Sequence, residues 1–528
     1  MSSGIPVLSR AQRVTATAGV LLGLLMAGLD STIVGTAMPR IVADLNGLAS
    51  YAWVTTAYLV ASTTVVPVSG RLGDLFGRKP FLIGGILGFM GASALCGLAQ
   101  TMLELVLFRG LQGVFGGVLL STVFAVIADL FPPTTRVKIQ GLFSGTWTLS
   151  AIVGPTVGGL LADTLGWRWA FYVNVPLGLV ALAVVLIGIP RVRSSASLRD
   201  VDMAGAAALA IGLVPLLVAL SISGDRMTSV PLTGALVGIG VAGLFCFGLL
   251  ERRHAHPIIP FGLFRNRTFA VAMIVGFFAS VTMFGAALFV PLLYQGVLGV
   301  SATSSGPLLT PMQLGTFVAA VLSGQAMARI ARYRLIGTAG LCSMALGLAL
   351  LALVRPETSP LDVVRDIVLI GLGLGCVQPL YLNAVMSDVP AGVLGVASSQ
   401  VQFWRNIGGT VGIAILGAIM TSRLAGAVAE QLRAAQLPEG VRDTIVGNMN
   451  AGQGLVGPSS LGLPPAVAAQ ATAAAKLGLA ATLHDVFVVA ALMTGVALVA
   501  SLFMRNVPLR STTVADRRTT AAVPSFGD

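Results

Sequence analysis

Three charged side chains stand inside otherwise apolar stretches, where a charge is costly without a partner or a task. Asp30 falls in Leu29-Asp30-Ser31-Thr32-Ile33-Val34, Arg109 in Phe108-Arg109-Gly110-Leu111-Gln112-Gly113, and Arg405 in Trp404-Arg405-Asn406. Desolvation and a neighbouring guanidinium pull a carboxylate's proton affinity in opposite directions. Such a group can take up and release a proton as its access to water alternates, and Asp30 is the leading proton carrier on this reasoning. Asp30 lies about seven residues before the end of its apolar run and Arg109 about as far past the start of its own. At 1.5 Å per residue both sit roughly 10 Å deep, so an ion pair between them is geometrically allowed.

The elements that must hold these groups are membrane-crossing helices. Of 528 residues, 55% are hydrophobic and only 10% charged, whereas about a quarter of a soluble globule is charged. Fourteen runs approach the roughly 20 mainly apolar residues that a crossing needs. They are Val14–Ala37, Tyr51–Val68, Phe81–Ala99, Leu103–Ala128, Gly141–Leu161, Trp169–Ile189, Met203–Ile222, Leu232–Leu250, Phe269–Tyr294, Ser305–Ala328, Leu335–Val354, Ile367–Met386, Val396–Met420 and Val486–Met504. The first is too long for a cleaved signal core. An even count puts both termini on one side, and the basic clusters Arg71/Arg78/Lys79, Arg191/Arg193/Arg199, Arg252/Arg253/Arg265/Arg267 and Arg329/Arg332/Arg334 fall on that side. The positive-inside rule then predicts cytoplasmic termini. The net charge of +12 punctuates apolar spans instead of covering one face, so a nucleic-acid partner is not expected.

Between the second and third runs lies Gly70-Arg-Leu-Gly-Asp74-Leu-Phe-Gly77-Arg78-Lys79-Pro80. An offset of 254 residues lays it over Gly324-Gln-Ala-Met-Ala328-Arg-Ile-Ala331-Arg332-Tyr333-Arg334, and the same offset lays Gly154-Pro155-Thr156-Val157-Gly158 over Gly408-Gly409-Thr410-Val411-Gly412. One offset shared by two unrelated segments argues for duplicated halves. In the hinge, Gly70 and Gly77 permit close approach and a tight turn. Asp74 can accept hydrogen bonds from Arg78 or from a helix start across the gap between the halves, which would hold that end closed; Lys79 adds to the basic cluster.

Gly70 to Pro80 resembles the cytoplasmic signature of the major facilitator superfamily. Arg109-Gly-Leu-Gln112-Gly113 is similar to that family's intramembrane Arg-x-x-Gln-Gly motif, and Gly154-Pro155-x-x-Gly158-Gly159 resembles its antiporter motif. Asp30 and the segment Trp167-Arg168-Trp169-Ala170-Phe171-Tyr172-Val173-Asn174-Val175-Pro176 are similar to the fourteen-helix drug:proton antiporter (DHA2-like) branch; the aromatics of that segment read as an interfacial belt. The resemblance implies an all-α membrane protein of two pseudo-symmetric six-helix bundles plus two extra helices. The expected division is a first bundle over 1–190, linkers and an inserted pair over 191–267, a second bundle over 268–504 with a long external loop at 421–485, and a cytoplasmic tail at 505–528. Alanine-rich Pro465–Ala481 within that loop is expected to be helical.

The implied activity is proton-coupled efflux of lipophilic, neutral or monocationic small molecules across the cell membrane by a monomer, driven by the proton gradient without a cofactor. Export of a lipid, glycolipid or siderophore is the alternative. Candidate cavity residues are Tyr58, Gln112, Trp147, Tyr294, Gln295, Gln378, Asn383, Gln402, Trp404 and Arg405. No lysine directly follows a glycine, which excludes the phosphate cradle of an ATP-driven pump. His254, His256 and His484 form no catalytic or metal-binding pattern, so an enzyme is not expected.

Overall fold

The computed structural model describes residues 9–45, 51–131, 133–189, 200–222, 230–254, 257–299, 309–330, 333–450 and 464–505. These residues form α1 (Arg10–Leu45), α2 (Tyr51–Phe76), α3 (Arg78–Leu98), α4 (Met102–Leu130), α5 (Pro133–Thr164), α6 (Asn174–Gly188), α7 (Met203–Ile222), α8 (Val230–Glu251), α9 (Arg267–Leu292), α10 (Thr310–Ile330), α11 (Tyr333–Ala352), α12 (Pro360–Asp388), α13 (Leu394–Ala434) and α14 (Pro465–Leu502). Each overlaps one expected run. Arg191, Arg193, Arg199, His256 and Arg332 lie outside the described residues.

Among the described residues, eleven helices are long and apolar enough to cross a membrane, and α2, α5 and α10 fall short of that criterion. The physical reason lies in where these three pack: α5 lies against α10, and α2 lies against α13. One face of each therefore meets protein and carries polar groups, and on α2 the hydroxyls of Ser62, Thr63 and Thr64 are buried there. Elsewhere the surface is reversed from that of a water-soluble fold. Leu107, Leu160, Ile187, Phe245 and Leu353 are all more than half exposed, as helices bathed in hydrocarbon require.

Helix pairing repeats along the chain. α1 packs on α4, α5 and α6, α2 on α4, and α3 on α4 and α6. α9 packs on α12, α13 and α14, α10 on α12, and α11 on α12 and α14. The second series is the first with eight added to each helix number, and the contacts α5 with α10 and α13 with α2 are related in the same way. α7 and α8 stand apart from this pattern, paired with each other, and α7 also touches α2 and α13.

The stretch from 421 to 485, expected as a loop, is mostly helix. α13 runs 41 residues and α14 runs 38, roughly 60 Å each at 1.5 Å per residue and well beyond the ~30 Å of a hydrocarbon core. Their projecting ends pack with a short helix, Glu439–Asn450, around Val428, Leu432, Leu437, Ile445, Ala471 and Ala474. An alanine-rich sequence favours helix in water and in lipid alike, so the boundary of the span gave no compositional signal. Further departures are small: a single turn, Trp169–Tyr172, precedes α6, and α9, with Pro291 in its last turn, passes at Leu292 into a π-turn, Leu293–Val297.

Candidate functional site

Asp30, in the middle of α1, has no exposed surface. Arg109 of α4 donates from Nη1 to its Oδ2 at 2.7 Å, and Gln112, one turn further on, donates from Nε2 to its Oδ1 at 2.8 Å. Asn174, the first residue of α6, donates from Nδ2 to the same Oδ1 at 2.9 Å. The carboxylate therefore accepts from three side chains on two helices. Ser93 of α3 accepts from Gln112 at 2.7 Å and from Asn174 at 3.3 Å, while Arg109 Nη1 also donates to Gln112 Oε1 at 2.6 Å and its Nε to the Val54 carbonyl at 3.3 Å. The guanidinium lies 4.5 Å above the Tyr58 ring. Desolvating two ions costs several kcal/mol each, a cost that only such complete hydrogen bonding offsets. One atom in the cluster stays unsatisfied: Asn174 Oδ1 is buried without a partner.

The seam beside this cluster is built from glycine. A Cβ at Gly154 would strike the Thr32 side chain, and one at Gly158 would strike Thr36 and the backbone of Ile33. Thr32 donates its hydroxyl to the Ser150 carbonyl at 3.1 Å. Four-residue spacing on α5 thus seats α1 through two successive turns. Pro155, between the two glycines, removes one helix hydrogen bond. Gly159 faces open space. In the repeat, Gly408 and Gly412 seat Phe277 and Val281 of α9.

The hinge brings together five elements. Gly77 adopts φ 88°, a left-handed conformation that a side chain disfavours, and so lets α3 start directly after α2. Asp74 is paired with Arg78, which also donates from Nε to Asp129 of α4 at 3.0 Å. Asp74 further accepts from the backbone N–H groups of Gly395 and Val396, at 3.0 and 2.7 Å, in the first turn of α13. A carboxylate on a helix N-terminus is favoured both by the unsatisfied N–H groups and by the dipole. Gly70 lies so close to Ser399 that a Cβ could not fit. Lys79 donates to the Leu186 carbonyl at the end of α6, at 2.8 Å. Toward the opposite end, α2 and α13 part around a cavity of about 240 Å³ lined by Thr56, Leu59, Thr410 and Ile413, and α7 closes its side with Leu220 and Ser221.

The expected cavity residues do not form one wall. Gln378 and Arg405 line the same small cavity. Tyr58 and Gln112 belong instead to the Asp30 cluster, and Trp147 packs beside Gly28 of α1. Tyr294 donates to the Pro360 carbonyl at 3.0 Å, and Gln295 is exposed on the π-turn. Asn383 is buried and donates to the Pro379 carbonyl of its own helix at 2.8 Å. Gln402 bonds Asn406 and Arg405, and Trp404 packs among Phe264, Phe277 and Phe403. Sequence reasoning missed Ser93, the role of Asn174, and Arg136. The last, 2% exposed, donates to the carbonyls of Ala128 and Phe131 at 2.7 and 3.2 Å and to that of Met386 in α12 at 3.5 Å. A charge in the opening turn of a helix, three residues after a Pro-Pro pair, was its only signal.

A sequence model of the Major Facilitator Superfamily matches residues 20–413. The chain is 37% identical over 525 residues, 96% of each chain, to the Multidrug transporter protein MdtP of Bacillus subtilis (strain 168). It is also 37% identical over 408 residues, 76% of this chain and 79% of the relative, to Multidrug resistance protein 3 of the same organism. Its fold is similar to that of the human organic anion transporter MFSD10, with a TM-score of 0.57 at 14% identity over 91% of this chain and 99% of that one. With two sets of identically paired helices, a buried intramembrane ion pair and these likenesses, the chain belongs to the Major Facilitator Superfamily and is a multi-pass membrane transporter, not an enzyme, related to multidrug transporters.

Proposed function

We propose that this transporter exports lipophilic small molecules across the cell membrane in exchange for protons, as a member of the fourteen-helix drug:proton antiporter branch. The hinge end faces the cytoplasm with both termini, and two bundles, 1–190 and 268–504, rock about the cleft between them, with 191–267 as an inserted pair and 505–528 as a tail. The repeated pairing of α1–α6 and α9–α14 supports that division, and the multidrug activities named for its relatives support the cargo.

The observation that carries the reading is the Asp30 cluster. A proton arriving on Asp30 neutralises the partner of Arg109, turns an acceptor into a donor, and leaves a buried guanidinium short of its counter-ion. Breaking a buried pair costs about 3–5 kcal/mol, enough to favour a conformation that hydrates Arg109. One proton moving down 100 mV supplies about 2.3 kcal/mol and each pH unit about 1.4 kcal/mol, so a single exchange drives modest accumulation. The Gly154/Gly158 seam keeps α1 and α5 sealed, which restricts water to the face opened by bundle motion. In proteoliposomes under an imposed pH gradient, Asp30→Asn should insert normally yet abolish substrate-dependent proton release. Unchanged coupling would remove Asp30 from the mechanism.

A further inference from the structure

Among the described arginines withdrawn wholly or partly from water, several are neutralised by close partners, whereas the half-buried Arg71 and Arg405 form no ion pair, and Arg71 still has the carboxylates of Asp74 and Glu251 nearby. Arg109 has Asp30, Arg78 has Asp74 and Asp129, and Arg136 has three helix-end carbonyls. Arg405 lies roughly three turns into α13 and, among the described residues, forms no ion pair. Its one hydrogen bond among the described residues runs from Nη1 to Gln402 Oε1 at 3.2 Å, although a guanidinium carries five N–H donors in a fixed fork. The side chain borders a cavity of about 10 Å³, room for roughly one water or one ligand oxygen, together with Ser280 of α9 and Gln378 and Tyr381 of α12.

From this geometry we infer that Arg405 is an anion-binding subsite, and that the preferred cargo carries an oxyanion, a carboxylate or its like, on a lipophilic body. This assignment rests on reading the space between α9, α12 and α13 as part of the export path. A guanidinium held partly out of water without a counter-ion is unfavourable, and an oxyanion on its fork offsets that cost bidentately. Ala272, Val377 and Val401 give the same cavity an apolar rim, and the lipophilic remainder requires the space between α9, α12 and α13 to widen during the cycle. The same charge repels cations, which reverses the expectation of a neutral or monocationic cargo drawn from the sequence. Gln402, itself donating to Asn406 at 3.2 Å, accepts from Nη1 and so occupies one corner of the fork.

The test compares two probes of equal shape, 1-pyrenebutyrate and its methyl ester, by equilibrium dialysis against the purified full-length protein in detergent at about pH 7.5. One charge-assisted bidentate contact is worth about ten- to a hundredfold in affinity. The acid should bind the wild type at least tenfold more tightly than the ester, Arg405→Gln should erase the difference, and Arg405→Lys should keep part of it. Equal affinities in the wild type, absence of binding to both included, overturn the assignment, as does a preference that survives Arg405→Gln. Adding phosphatidylglycerol separates the sources of the oxyanion: displacement of the acid assigns the subsite to a lipid phosphate, and retention assigns it to a free acid. Binding is read without a proton gradient, so a negative result here leaves the exchange reading intact, and an uncoupled Asp30→Asn leaves the anion subsite intact.

Discussion

Replacing Asp74 by Asn isolates the electrostatic part of the hinge without changing its volume. The wild-type carboxylate accepts two N–H bonds from α13, at 3.0 and 2.7 Å, and is paired with Arg78 on its own side. Hydrogen bonds to a charged group are worth about 1.5–3 kcal/mol and neutral ones about 0.5–1.5 kcal/mol. Asn keeps one neutral acceptor, loses the second, and gives up the interaction with the helix dipole. The hinge-closed state should weaken by about 3 kcal/mol relative to the open one, on the order of a hundredfold in their ratio. Ser399 reports this directly, because it is fully buried against Gly70 in the closed arrangement. In a background where the exposed Cys246 and Cys342 are replaced by serine, the nearly isosteric Ser399→Cys should alkylate with maleimide in proportion to the open population. Adding Asp74→Asn should raise the rate roughly a hundredfold. An unchanged rate would mean that the bonds to Gly395 and Val396 do not hold the halves together.

Gly154→Val forces a side chain into Thr32 and should lower the thermal unfolding midpoint and abolish export, whereas Gly159→Ala, facing open space, should do neither. Equal midpoints for the two variants, read by size-exclusion melting curves, would disprove the tight seam. Gly77→Ala should destabilise by about 1–2 kcal/mol because of its left-handed φ, while Gly84→Ala, mid-helix and uncrowded, should be neutral or slightly stabilising. The same pair of melting curves distinguishes backbone strain from a general effect of adding a methyl.

What the sequence disclosed, and what it hid, follows from the kind of signal each residue emits. Asp30 and Arg109 were conspicuous because a charge in an apolar run is rare, and Asp74 because a carboxylate in a glycine hinge suggests a helix start nearby. That the helix start belongs to α13, 321 residues away, was not legible, since no local pattern encodes a long-range contact. Asn174 was hidden within an aromatic segment that reads as a membrane belt, and Ser93 is a small hydroxyl with no periodicity of its own. Tyr58 was expected on a substrate wall, but its ring lies under Arg109; aromatic character alone does not say which face of α2 it serves. The pairing of Arg405 with Gln378 depends on how α12 meets α13, which only packing decides.

α13 contains no proline and runs unbroken from the turn that Asp74 grips to the crown it shares with α14 and Glu439–Asn450. A rod pivoting about its midpoint by 10° sweeps each tip by roughly 5 Å, since half its length is about 30 Å. The crown is thus a handle on the far end of the lever that the hinge latches. A nanobody clamping it would brake the transport cycle from outside the bilayer, and a dye pair across its short helix would record each stroke.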